Sequence, residues 1–148
     1  MRGRIFRTAG FLTTFTFMTM LATGALHAAA PAPVEIKVRV SEKGFSNEKG
    51  LVYTAARPLK LPQGVPVTIT FIFSEEMSSL AVGDTHQIAL RSDTGAIGET
   101  EKLWIMNKQV NLSFTPGDKG QLQYRAYCIL DCTGMEHLTN LVIQVVKT

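Results

Sequence analysis

The sequence predicts an all-β domain, an antiparallel Greek-key β-sandwich. Three observations lead there. Runs such as Val34 to Val40 and Gln109 to Thr115 are short, β-rich and alternate apolar with polar residues, the period-two mark of a strand with one buried face. Turn-forming clusters such as LPQGVP and PGDKG separate these runs at short intervals, as small sandwiches require. No long segment carries a helical period, and no repeat or low-complexity stretch divides the chain.

Each element follows from its residues. Val34-Glu-Ile-Lys-Val-Arg-Val40 is the first strand, and the polar SEKGFSNEKG behind it reads as a turn region. Leu51 to Leu61 holds short extended pieces interrupted by Pro58. The LPQGVP turn then delivers Val67 to Phe73, whose β-branched and aromatic side chains suit a pleated, buried surface. Ser74 to Asp84 reads as a loop or a single helical turn, and Thr85 to Arg91 as the next strand. A turn at SDTGAIG and a short strand near Leu103 to Met106 precede Gln109 to Thr115, which sets Val110, Leu112 and Phe114 on one face. Pro116-Gly117-Asp118-Lys119-Gly120 is a turn, Gln121 to Tyr127 places Leu122, Tyr124 and Ala126 on one face, and Leu141 to Val146 closes the domain. Trp104 and the phenylalanines at 71, 73 and 114 read as core.

The first 28 residues read as a secretory signal. Arg2, Arg4 and Arg7 form a basic start, an apolar stretch runs from about Ala9 to Leu21, and small residues lead to a cleavage point after Ala28. Residues 29–33 are then a short leader and 34–148 the domain. The apolar stretch is short and threonine-rich for a membrane span, and no later segment has that length. The full chain carries a net charge of +3, and cleavage removes three arginines, so the mature chain is neutral. Nucleic-acid binding therefore lacks electrostatic support. An exported location, periplasmic or equivalent, is expected.

The only two cysteines stand in the run Cys128-Ile-Leu-Asp-Cys132-Thr-Gly-Met135-Glu-His137, between two strand-like segments. Thiolate, thioether and imidazole together suit copper or another soft transition metal. His86 opens the run THQIAL, where a sandwich can bring a remote ligand beside the loop. The expected metal set is His86, Cys128, Cys132, Met135 and His137, with Asp84 as acceptor for the second ring nitrogen of His86. Against it stands a local Cys128–Cys132 disulfide, natural outside the cytosol but closing too small a ring to stabilise much. Asp131 reads as a solvated loop residue and Met77 as a residue that would cover or feed the site. No nucleophile elbow, phosphate loop, HExxH or twin-carboxylate pattern is present, and the CxxxC spacing is not that of thioredoxin-like motifs, so no enzyme is expected.

Taken together, PLKLPQGVPVTITFIF, GDTHQIAL and FTPGDKGQLQYRAYC with its following loop and strand resemble a cupredoxin over nearly the whole mature chain. The resemblance implies a copper site with an upstream histidine at His86 and the later ligands in the loop after the hairpin. The Cys128-x3-Cys132 spacing further resembles the binuclear centre of cytochrome oxidase subunit II and nitrous oxide reductase. There, two thiolates bridge two copper ions, with outer histidines, a weak methionine and a backbone carbonyl. This chain departs from that pattern: Glu136 stands where that family has histidine, with His137 one place later, and Thr139 where it has methionine, with Met135 earlier. A mononuclear site of His86, Cys128 and His137 with axial Met135 is the second arrangement, and a site shared across a two-fold homodimer the third. One or two copper ions are thus implied, serving electron transfer with a redox partner or copper carriage to a receiving enzyme. The reading from a different class is a metal-free exported binding module held by the local disulfide.

Overall fold

The computed structural model describes residues 32–74, 85–118, 120–130, 138 and 140–147. The described residues form nine strands: β1 (Val34–Ser41), β2 (Gly44–Ser46), β3 (Leu59–Pro62), β4 (Val67–Phe73), β5 (Ile88–Ser92), β6 (Gly95–Glu99), β7 (Gln109–Phe114), β8 (Gln123–Cys128) and β9 (Leu141–Val146). They make two sheets, one ordered β2-β1-β4-β7 and the other β3-β9-β8-β5-β6. The alternation in the sequence becomes the inner layer. Val38 and Val40 from β1, Val67, Ile69, Phe71 and Phe73 from β4, and Val110 and Leu112 from β7 meet Ile88, Leu90, Tyr124, Ala126, Leu141 and Ile143 from the second sheet. Intervening residues such as Arg39, Asn111, Arg125 and Gln144 face solvent, as the pleat demands.

The sandwich is as expected, and its sheets are mixed. β1 runs parallel to β4, and β3 parallel to β9, while the remaining pairs are antiparallel. The chain leaves the first sheet after β2, contributes β3 to the edge of the second, and returns as β4 beside β1. Parallel neighbours need such a crossover, and alternation along a single strand carries no information about its partner's direction.

Several local expectations are corrected. The SEKGFSNEKG segment is not turn alone: it holds β2, which folds back on β1 with Ser41 opposite Gly44. SDTGAIG likewise carries the start of β6, an edge strand paired to β5 through a register shift at Leu90/Arg91. The stretch from Leu103 to Met106 is not a continuous strand but two bridges, His86 with Leu103 and Trp104 with Asn107. Leu122 precedes β8 and is 54% exposed, so it does not share the buried face of Tyr124 and Ala126. Trp104 is 41% exposed rather than core, because the reverse turn closed by its two hydrogen bonds with Asn107 lifts it off the sandwich. The loop or helical turn expected from Ser74 to Asp84 lies, beyond Ser74 itself, outside the described residues, and so does the signal segment.

At one end of the sandwich the connection between β7 and β8 is locked by Gly117. Its φ of +77° is left-handed, and a Cβ there would meet Gln63 Cγ at 2.7 Å, so glycine serves both backbone and space. The Gly117 N–H donates to the Tyr124 hydroxyl at 2.9 Å, and Gly64 N–H donates to the Pro116 carbonyl at 2.8 Å. These contacts fix the start of β8, and with it the register that carries Cys128 to the opposite end.

Candidate metal centre

Cys128 is the last residue of β8 and lies opposite Ile88 in the antiparallel ladder with β5. Side chains two residues apart share a face of a strand. The inward row Tyr124, Ala126 therefore continues to Cys128, and the inward row Leu90, Ile88 continues back to His86. Diagonal neighbours across an antiparallel pair lie within side-chain reach. Here His86 Nδ1 stands 3.7 Å from Cys128 Sγ.

Both residues are held by backbone as well as by packing. His86 N–H donates to the Leu103 carbonyl at 2.8 Å, and Leu103 N–H returns a bond to the His86 carbonyl at 2.7 Å. Leu103 is fully buried, His86 is 1% exposed, and the Phe73 ring lies 6.3 Å from the imidazole, tilted by 36°. Beyond Cys128 the ladder continues through Ile129 N–H, which donates to the Gln87 carbonyl at 2.9 Å. Cys128 itself is half-buried and packs against the core. The chain re-enters the core at Leu138, fully buried, and at Leu141, so both flanks of the intervening loop are anchored.

The donor set fits a metal. A thiolate and an imidazole nitrogen 3.7 Å apart are near enough to share a hydrogen bond, and would also be near enough to hold one soft metal ion between them. Among the described residues, the buried Phe73 and Leu103 lie against His86.

His86 and Cys128 are the two expected ligands that the fold brings together. Among the described residues no group of three or more His, Cys, Asp or Glu side chains gathers at one point. The other three expected ligands, Cys132, Met135 and His137, lie outside the described residues, as do Asp84, Met77, Asp131 and Glu136. Phe73 and Leu103 were not read as parts of the site from sequence. The signal for Phe73 was its place at the inward end of an alternating strand, and Leu103 gave none, since its pairing with His86 joins two segments that share no pattern.

The architecture is similar to several solved structures. A structure of auracyanin B aligns at a TM-score of 0.54 and 14% identity, covering 78% of this chain and 91% of that one. Auracyanin A from Chloroflexus aurantiacus, described as a "blue" copper protein, aligns at 0.52 and 17%, covering 78% and 100%. Rusticyanin from Thiobacillus ferrooxidans aligns at 0.53 and 14%, covering 79% of each. The fold is a cupredoxin fold. No family model matches the sequence, and no curated protein does. In this cupredoxin fold the end of β8 and the segment ahead of β5 meet at one rim, where His86 and Cys128 stand.

Proposed function

We propose that this chain is an exported copper-binding protein that transfers electrons. The observation that carries the reading is the 3.7 Å approach of His86 Nδ1 to Cys128 Sγ at the end of the sandwich. Residues 1–28 act as the secretory signal, and residues 34–148 form the copper domain. Copper supplies a one-electron couple between Cu(I) and Cu(II). The protein's own contribution is rigidity: the reciprocal hydrogen bonds between His86 and Leu103 and the β5–β8 ladder behind Cys128 hold the two donors in place. A donor pair held this way moves little when the oxidation state changes, which favours electron exchange over release of the ion.

In this reading the loop completes the site. Met135 and His137 would add the weak thioether and second imidazole of a mononuclear centre, whereas a bridging Cys132 would make the binuclear centre that the CxxxC spacing resembles. No chemistry beyond electron exchange is assigned, and the chain is not read as an enzyme.

Anaerobic copper loading of the exported chain, with metal analysis, absorption and EPR spectra, tests the reading. An intense visible thiolate band is expected, lost in Cys128→Ser and strongly weakened in copper retention by His86→Ala. Four EPR lines identify one copper, and seven a mixed-valence pair. Tight Cu(I) retention with release to an acceptor protein and no reversible redox wave would make the chain a carrier instead. No copper retention, together with a Cys128–Cys132 disulfide, would make it a metal-free module and overturn the proposal.

A further inference from the structure

The outer face of the second sheet carries a feature that the metal site does not use. Arg91 of β5 and Arg125 of β8 are direct cross-strand partners. Both are exposed, and like charges directly opposite one another weaken a strand pair. The usual remedy is an acidic neighbour, and none is supplied: among the described residues the one ion pair is Lys37 with Glu48, on the other sheet. Asp93, on the rim of the same groove, forms no ion pair with either arginine. Glu99, one row along the face, lies within reach of the Gln87 amide at 3.4 Å.

The two guanidinium groups do not stand on a flat surface. Together with Tyr127, Asn140 and the turn residues Ser92 and Asp93 they line an open groove. Arginine presents planar donor forks that match carboxylates two bonds at a time, and the Tyr127 hydroxyl lies in the same depression. The depression is shallow and open to solvent, so a ligand there is held by its charge and by the two guanidinium forks.

We infer that this groove docks an acidic segment of a partner protein, with Arg91 and Arg125 as paired carboxylate clamps. Complementary charge argues for that occupant: the two arginines face one another with no carboxylate paired to either, and Asp93 in the same lining offsets only one of the two charges. The inference does not depend on copper.

Titration of the isotopically labelled exported chain with hexaglutamate, followed by backbone amide shifts, tests it, and the same titration is run with copper present. Saturable shifts are expected at residues 89–93 and 123–127 and at Asn140, weakening as salt rises. Arg91→Gln or Arg125→Gln should each weaken binding by about tenfold, with Arg91→Lys recovering part of the loss. Both side chains are exposed, and unchanged spectra elsewhere would verify that the variants fold. Shifts spread equally over Arg39, Lys43 and other exposed cations would overturn the proposal. So would saturation of these amides by inorganic phosphate but not by the peptide, which would mark a small-oxyanion site. Failure of copper loading leaves this titration intact, so the two readings fail separately.

Discussion

At the residue scale, Gly117 and Tyr124 show how a turn at one end of the sandwich sets the register that places Cys128 at the other. The Tyr124 hydroxyl accepts the Gly117 N–H and closes the turn before β8. Tyr124→Phe should cost about 1 kcal/mol, the net value of one such bond, measured by urea denaturation. Gly117→Ala should cost more, about 1–3 kcal/mol, because it combines a left-handed φ with a contact on Gln63. Tyr53 offers a pH-dependent check. Burial raises its phenol above the ordinary value of 10.0, since a phenolate is harder to desolvate than a phenol. A raised folded value means the stabilisation is fully present below pH 10.0 and is lost as the pH climbs through the folded value. Tyr53→Phe should therefore flatten the alkaline loss of stability, read from denaturation midpoints at successive pH values; an unchanged alkaline slope would count against this assignment.

At the scale of elements, the two sheets differ in how much each strand matters. β4 lies between β1 and β7 and buries Val67, Ile69, Phe71 and Phe73. Ile69→Ala leaves a cavity at a fully buried position and should cost about 2–5 kcal/mol. β6 is an edge strand whose Ile97 is 37% exposed. Ile97→Ala should cost within about 1 kcal/mol, and equal losses in the two variants would contradict the inner and outer assignment. β1, β4, β7 and β9 were legible nearly to the residue because alternation or a β-branched run coincided with clear turns. β2 and β6 were missed because each is short and glycine-bearing, and becomes a strand only by pairing with a neighbour. The buried placement of Leu122 failed for the same reason, since the face a residue takes depends on where pairing begins.

At the scale of the whole molecule, ligand binding and folding are linked. The His86–Cys128 pair exists only when β5 and β8 are in register, so an ion held by both binds the folded chain more tightly than the unfolded one. Copper in hundredfold excess over its dissociation constant should stabilise the protein by up to about 2.7 kcal/mol, less whatever binding the cysteines offer in the unfolded chain. Cys128→Ser should abolish that gain in thermal unfolding while leaving the copper-free protein close to its original stability. Mass spectrometry of the secreted chain should place its first residue at Ala29; an intact N-terminus in a soluble cytosolic fraction would contradict the export assignment.

The sequence by itself determined the β character and the strands with strong alternation, because these are local patterns of side-chain chemistry and turn preference. It also singled out His86 and Cys128, whose residue types are those that soft metals select. Only the tertiary structure decided that the two meet: 42 residues separate them, and their approach depends on the pairing of Ile88 with Cys128 and on the Leu103 bridge that holds His86. The parallel pairings and the facing arginines on β5 and β8 are decisions of the same kind. Each arises from strand partnership, and partnership is settled by how the two sheets together bury their apolar faces, a property that no single stretch of sequence contains.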